Sequence, residues 1–393
     1  MKLLFLTPRF PYPPVKGDQA IPYYRLKELG SRHDITLLTF YEKDEDLAGL
    51  PALKPFCREI HAVKLPRWLS LANMLFLGAS SQKPFQVLYF RSSAFARKLE
   101  EVLVAGKFDA VHAFMLRLLP YLEKIKIPKV LELVDSMALN MQRRAATEGP
   151  LTRWLFNEEA RRVAAYEPLA PRIAQELVVV SGKDRDCVPG GSVSVVPLGV
   201  DTALFRPAPR RQTAPVIVFT GNMGYAPNVT AAVWFAEKCF PLVRRDVPAA
   251  EFIIAGVRPA PAVLALAALP GVKVTGPVDS IPAVLAGAAL AVAPMRSGSG
   301  MQFKVLEAMA CGLPVVVTNL GLGDIKAVPG EHLLAAEGEA EFAQAVVRVL
   351  RSMEEGDRLG AAARRFIEER HGWGAAAAAI EEIYGRLNSR IFP

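Results

Sequence analysis

Between Pro294 and Thr318 the chain reads PMRSGSGMQFKVLEAMACGLPVVVT, a run whose residue types suit anion chemistry. A short apolar stretch, Ala288 to Ala293, ends in a basic, glycine-rich turn holding Arg296, Gly298 and Gly300. A helix-patterned segment from about Met301 to Ala310 follows, stopped by Gly312 and Pro314, and Val315-Val316-Val317 has the pattern of a buried strand. Strand, glycine turn and helix start together present several unpaired backbone N–H groups at one point, where an anion is stabilised. Lys304 and Glu307 stand three residues apart and share one face of that helix. A cation near a helix start, with a carboxylate one turn deeper, suits a phosphorylated ligand carrying hydroxyls beyond its phosphates. The competing reading is a βαβ crossover whose glycines only let helix and strand pack closely. A dinucleotide fingerprint fits less well. Gly298-x-Gly300 lacks the third glycine and falls near residue 300 rather than after the first strand.

Positioning such groups requires parallel sheets covered by helices, and apolar β-rich runs do alternate with helical patterns throughout. In the first half, strands are expected near Leu3–Leu6, Ile35–Phe40, Glu59–Val63, Ala110–His112, Val130–Leu133 and Leu177–Val180. Helices are expected there near Gln19–Leu29, Ser93–Val104 and Asn157–Ala174. In the second half, strands fall near Val216–Thr220, Glu251–Ala255, Val272–Thr275, Leu290–Ala293 and Pro314–Val317. Its helices fall near Asn228–Arg245, Ala260–Leu269, Ser280–Gly287, Met301–Ala310 and Glu339–Arg351. Between the halves, Gly190-Gly191 and SVSVVPLGVDTALFRPAPRRQTAP read as a linker. Two doubly wound α/β units follow from this pattern. Ligands of such sheets bind outside the carboxyl ends of the strands, so a cleft between two such domains is the expected site. Ala375 to Asn388 reads as an Ala-rich helix in need of a partner surface.

A length of 393 residues favours two domains. With 51% hydrophobic and 22% charged residues the chain is of ordinary globular type. It contains no run of 18 apolar residues, and Met1 to Pro8 reads as a buried strand rather than a signal peptide. The four cysteines, Cys57, Cys187, Cys239 and Cys311, have no metal or redox spacing and read as reduced thiols in a cytoplasmic protein. The net charge of +8 is lopsided: residues 1–190 hold 28 Lys and Arg against 21 Asp and Glu, residues 191–393 hold 19 against 18. No basic recognition helix supports nucleic acid as the partner. An anionic membrane surface fits better, because residues 64–91 set apolar side chains and Trp68 between Lys64, Arg67, Lys83 and Arg91. The same segment also reads as a half-buried loop and helix packed on its own domain.

Several motifs resemble one family. VVPLGVDTALFRP (Val195–Pro207) resembles the hinge of retaining family-4 glycosyltransferases of GT-B fold, and KVLEAMACGLPVVVT (Lys304–Thr318) resembles their donor-site signature. GPVDSIPAVLAGAALAVAP (Gly276–Pro294) is similar to the segment preceding that signature, and RRFIEERHGW (Arg364–Trp373) to the family's ending before a helix that crosses back to the first domain. PYPPVKGDQ (Pro11–Gln19) and FTGNMGYAPN (Phe219–Asn228) most resemble sugar transferases associated with exosortase/PEP-CTERM exopolysaccharide systems. The resemblance implies an α/β GT-B fold of two Rossmann-like domains facing a central cleft. It places an acceptor domain at 1–190, a nucleotide-sugar donor domain at 191–370, and a C-terminal helix at 371–393 packing back on the first. The resemblance further implies a UDP- or GDP-sugar co-substrate as donor, with no metal or resident cofactor, and a polysaccharide or lipid-linked sugar as acceptor, in the cytoplasm or at the inner membrane face.

The resemblance also nominates residues. Charge growing on a departing diphosphate needs protein cations and aligned N–H groups where no divalent ion serves. Arg296, Lys304 and the backbone of Gly298, Ser299, Gly300 and Met301 are the candidates, with Glu307 implied as the ribose anchor. Gly221, Asn222 and Tyr225 form the turn after the first strand of the second domain, while Val278 and Arg258 lie in further loops of the donor side. Gly17, in the loop after the first strand, allows close backbone approach to the donor. Departures from the family pattern are specific. Ser299 stands where its first glutamate would fall, Phe114 where its first-domain histidine would, and Gly221–Gly224 lack its usual Arg and Lys. Arg296 and Lys304 are expected to take over that charge, Arg258 reading equally as a solvated loop residue. His112 reads as satisfied core. Asp135 is the first-domain carboxylate for an acceptor hydroxyl or, equally, a helix cap. Front-face attack with retention is favoured, since no enzymic nucleophile stands out. A nucleotide-sugar epimerase and a non-catalytic nucleotide-sugar-binding subunit are the competing functions.

Overall fold

The computed structural model describes residues 1–14, 17–147, 149–188, 190–208, 215–297 and 301–391. The chain divides into two compact units, one of Met1–Pro197 with Ala376–Pro393, the other of Leu198–Ala375.

Among the described residues of the first unit, seven parallel strands form one sheet. They are β1 (Lys2–Thr7), β2 (Asp34–Tyr41), β3 (Glu59–Lys64), β4 (Ala110–Phe114), β5 (Lys129–Val134), β6 (Glu176–Val179) and β7 (Ser192–Val195). Their order is β3-β2-β1-β4-β5-β6-β7, so the direction of winding reverses between β1 and β4. Ligands of open α/β sheets sit beyond the carboxyl ends of strands at such a switch. β1, β4 and β5 are buried along nearly their whole length because helices cover both faces. Phe40, Phe95, Leu131 and Val163 belong to the core on one face.

The second unit repeats the plan. Its strands are β8 (Val216–Thr220), β9 (Glu251–Ala255), β10 (Val272–Gly276), β11 (Leu290–Ala293), β12 (Val315–Val317) and β13 (Leu334–Ala335), in the order β10-β9-β8-β11-β12-β13 and all parallel. The switch lies between β8 and β11, and Phe219, Phe235, Phe252 and Phe342 fill the core.

Several expectations need correction. Ser192–Val195, read as linker, pairs in register with β6, Val193 opposite Leu177, so the first unit runs on to Pro197 instead of 190. A polar-apolar alternation over four residues is too short to announce a strand without its neighbour. Helices Met137–Thr147 and Met353–Arg370 were not expected, nor was β13. The helix expected at Asn157–Ala174 begins at Pro150 and ends at Tyr166, with short turns to Ile173. The segment expected at Asn228–Arg245 is helical from Ala226 to Asp246 but passes through a π turn at Phe235–Cys239. Pro241 follows that turn, and its missing N–H accounts for the widened bonding there. Gly17 does not sit in a loop: it opens the helix Gly17–Leu29.

The last helix, Trp373–Ile391, begins in the second unit, and its residues from Ala376 onward belong to the first. There Tyr384 Oη lies 2.6 Å from His112 Nδ1, Glu381 3.1 Å from His33 Nε2, and Arg386 donates to Ser194 Oγ at 2.7 Å. His112 is fully buried, stacked on Phe5 and 3.2 Å from Glu132, which also pairs with buried Arg25 at 3.1 Å.

The hinge-like and tail-like motifs interlock within the second unit. Val200 N donates to His371 O at 2.8 Å, and His371 Nδ1 lies 3.0 Å from Leu198 O. A Cβ on Gly199 would fall 2.5 Å from the Trp373 ring. Arg364 donates to Ala310 O and Phe205 O at 2.6 Å each and to Thr202 O at 3.1 Å, holding the end of the helix Phe303–Ala310. Gly312, at φ 67°, ends that helix, and its oxygen would lie 2.0 Å from a Cβ on Gly360.

Candidate functional site

At the carboxyl end of the second sheet two glycines meet. Gly221 follows β8 at φ 152° and Gly256 follows β9 at φ 148°, and a Cβ on Gly256 would fall 1.7 Å from Gly221 O. Only glycine allows this approach. Asn222 O accepts from Asn228 Nδ2 at 3.0 Å, and Tyr225, half exposed, stands at the cap of the helix that Ala226 opens. The turn is therefore fixed from inside by Asn228, which is buried.

Asn228 also reaches across the switch. Its Oδ1 accepts from Lys304 Nζ at 3.0 Å, Gln302 Oε1 accepts at 2.9 Å, and the ammonium lies 5.5 Å from the Phe219 ring centroid. A Cβ on Gly221 would lie 3.4 Å from Lys304 Cε. Lys304 is thus held beside the Gly221 turn at the start of the helix Phe303–Ala310, with Gln302 at its cap and Met301 buried just before it. Burial pushes Lys304 down to about 8, partly offset by Glu307; burial pushes Glu307 up to about 7, partly offset by Lys304. Among the described residues no hydrogen-bond or ion-pair donor reaches the Glu307 carboxylate. A half-buried acid and base of opposite charge, each shifted toward its neutral form, is an arrangement that stability alone does not favour and a ligand can relieve.

The other expected donor-side residues divide. Arg258 is exposed at φ 54° beside Gly224, whose added Cβ would lie 3.3 Å from Arg258 Cβ. Val278 is half-buried in the loop after β10. Arg296 departs from expectation. Its guanidinium lies over the Trp234 ring at 5.0 Å and 3.7 Å from Glu337, so it does not share the partners of Lys304. Glu337 follows β13 and draws the guanidinium to that side. Gly298, Ser299 and Gly300 lie outside the described residues.

In the first unit Asp135 follows β5, whose last residue Val134 has φ 75°. A β-branched residue there is strained, as is Met115 at φ 72° after β4. Both mark loops at the carboxyl end of the sheet. Burial and then Asp184 push Asp135 up to about 7, against the pull of Arg117; its side chain hydrogen-bonds Asn140. The cap of the helix Met137–Thr147 falls to Ser136, whose Oγ accepts from Leu139 N at 3.3 Å. Asp135 therefore is not the helix cap. Among the described residues no group of three or more His, Cys, Asp or Glu could hold a metal ion.

Two doubly wound parallel-sheet units in series, with a final helix returning to the first, are the GT-B architecture. Residues 214–352 match the family model described as Glycosyl transferases group 1, which supports a glycosyltransferase. The chain is 22% identical over 400 residues to an uncharacterized 44.6 kDa protein in the cps region of Klebsiella pneumoniae, covering 94% of this chain and 96% of that one. It is 27% identical over 304 residues to the MMP alpha-(1->4)-mannosyltransferase of Mycolicibacterium hassiacum, covering 73% and 72%. The Anabaena HepE structure in complex with UDP and glucose superposes with a TM-score of 0.67 at 17% identity, covering 98% of this chain and all of that one.

Asn228 was expected to shape the Gly221 turn or to start the helix after it, and it does hold the turn. Its contact with Lys304, and the close approach of Gly256, were not expected, the former spanning 76 positions and leaving no local signal.

Proposed function

We propose that the chain moves a hexose-type sugar from a UDP- or GDP-sugar to a polysaccharide or lipid-linked acceptor, with retention and without a metal ion. The observation that carries this is Lys304, tied by Asn228 to the Gly221 turn, one helical turn before an unpartnered Glu307. Lys304 meets the diphosphate, and Glu307 accepts from two ribose hydroxyls. The backbone from Gly298 to Met301 joins in holding the phosphates. Arg258 adds charge from the β9 loop. Arg296 adds more after leaving Glu337, a pair exposed enough that breaking it costs about 0–1 kcal/mol. Gly17 and Val278 border the bound donor, and Asp135 orients the acceptor hydroxyl.

In the transfer, the acceptor oxygen bonds C1 on the face from which the C1–O phosphate bond breaks. The acceptor proton passes to the leaving phosphate oxygen, and the nucleoside diphosphate departs. The UDP and glucose in the Anabaena HepE complex and the mannosyltransferase relative support this reading. The relative in a cps region, with PYPPVKGDQ and FTGNMGYAPN, supports an acceptor in exopolysaccharide synthesis of the exosortase/PEP-CTERM kind. Trp68, Leu71, Leu75 and Phe76, all exposed on a basic first unit, support peripheral attachment to the inner membrane face.

The test is a thermal-shift screen with UDP-, GDP- and ADP-sugars. One nucleotide family should raise Tm, and Glu307→Ala should abolish the rise. No response to any of them would overturn the donor assignment, and an inverted anomer in an NMR time course would overturn retention.

A further inference from the structure

We infer that Gln86 is a positioning residue for Asp135, holding the Arg117 guanidinium in place as the counter-charge of that carboxyl group. Its role rests on the reading of Asp135 as the group that orients the acceptor hydroxyl. The backbone brings the two charges together. β4 and β5 are neighbours in register, Phe114 opposite Glu132, and Met115 N donates to Glu132 O at 2.7 Å. Arg117 stands three residues past Phe114, and Asp135 three past Glu132. Both therefore leave the carboxyl edge of the first sheet at the same level, from adjacent strands. A residue in left-handed backbone closes each strand, Met115 at φ 72° and Val134 at φ 75°.

Each group acts on the other. Arg117 draws Asp135 toward ionisation, and Asp135 strengthens the guanidinium's hold on its proton. Other groups face Asp135 as well. Asp184, from the helix Gly182–Cys187, and Glu167, from the turn after the helix Pro150–Tyr166, both oppose its ionisation, while Asn140 hydrogen-bonds the carboxylate. Arg117 is the cation set against those two acids. Asp18 and Glu159 also act on Arg117 through space, and Arg9 acts in the opposite sense.

What fixes Arg117 is a neutral group. A guanidinium withdrawn from solvent is ordinarily met by a carboxylate. Here Nε and Nη2 both donate to one amide oxygen, Gln86 Oε1, at 3.2 and 2.8 Å, and the cation lies 5.4 Å from the Phe90 ring centroid. An amide oxygen orients the fork without cancelling its charge, whereas a carboxylate at position 86 would do both. Gln86, on the short helix Phe85–Tyr89, is itself held. Its backbone N donates to Glu159 Oε1 at 3.1 Å, beside Phe85 N to Oε2 at 2.7 Å, and its Nε2 lies 3.5 Å from Met141 Sδ. Arg162 stacks on the neighbouring Phe85 ring at 4.3 Å. The side-chain amide is thus anchored through its backbone and its nitrogen, which leaves the oxygen facing Arg117. Gln86 and Arg117 stand 31 positions apart, so no local pattern in the sequence announces the contact.

An aspartate carboxyl-carbon NMR titration of the full chain tests this with neither donor nor acceptor, Asp135→Asn identifying the resonance. The wild-type midpoint is expected at about 7. Arg117→Gln should move it up by about one pH unit, since a nearby opposite charge favours the ionised carboxylate. Arg117→Lys keeps the charge and should leave the midpoint close to the wild-type value. Gln86→Ala should move it up as well, because the guanidinium loses its fixed place. Gln86→Glu keeps the accepting oxygen and adds an opposing charge, so it should raise the midpoint without lowering Tm. A purely structural Gln86 would lower Tm in the alanine variant and leave the midpoint where it was. An unmoved midpoint in Arg117→Gln would remove Arg117 as the counter-charge. A midpoint that moves there but not in Gln86→Ala would show Arg117 kept in place without Gln86. Either result overturns the inference. A chain that responds to a nucleotide sugar while these midpoints stand still fails here alone; one whose midpoints move but which answers no nucleotide sugar fails as a transferase alone.

Discussion

At the residue scale, Lys304 and Glu307 set function against stability. Glu307 is pushed up to about 7 from an ordinary 4.5, so its ionised form is disfavoured in the folded chain relative to the unfolded one. A raised carboxylate costs stability once the unfolded group ionises, above about 4.5, and the cost is full once pH passes 7. Glu307→Gln should therefore stabilise the second unit by about 1–3 kcal/mol at pH 8. The gain should shrink steadily toward pH 4.5, while the Tm rise given by the nucleotide sugar disappears. Urea melts of the variant across that range check it. A variant no more stable at pH 8 than at pH 4.5 would show that Glu307 is relieved by the protein itself.

At the scale of elements, the joint between the segment Leu198–Phe205 and the tail Arg364–Trp373 deserves a direct probe. Trp373 is buried, and its ring presses on Gly199. Trp373→Ala should cost about 3–5 kcal/mol, as large buried aromatics do. The loss should fall on the second unit and lower its urea midpoint at unchanged slope. Much of this scale was legible beforehand. β8 and β9, largely apolar runs each followed by a glycine, and β11, an apolar run of four ending at Pro294, fall where expected, because strands buried on both faces leave an unbroken signal. β7 and β13 did not announce themselves, being edge strands of only four and two residues. The helix Met353–Arg370 was equally silent, since its buried Gly356 and Gly360 look like helix breakers until the close packing of Gly360 against Gly312 is seen. At the site, the spacing of Lys304 and Glu307 was visible, whereas the turning of Arg296 to Glu337 and Trp234 was not. That choice is made by two residues from other elements.

At the scale of the molecule, the two units should differ in their response to acid. Burial alone would raise Glu132, but Arg25 and then His112 more than offset it and hold it down to about 2. The sign follows from linkage: a depressed carboxylate stabilises the fold fully above its unfolded value near 4.5, and that stabilisation is lost as pH falls toward 2. Glu132→Gln should flatten the acid limb of the first unit's unfolding while leaving the second unit's unchanged, which two-transition calorimetry would resolve. Truncation after Ala375 should remove the first unit's cooperative transition, since Tyr384, Glu381 and Arg386 are lost with it, and spare the nucleotide response of the second. The return of the last helix also orders events in time. A ribosome delivers the seven strands of the first sheet early, but the side chains that meet His112 and Ser194 emerge only after the whole of the second unit has been made. During translation, domains tend to fold in the sequence in which they leave the tunnel. Here the earlier-born half must wait, open on one side, until the later-born half has already closed.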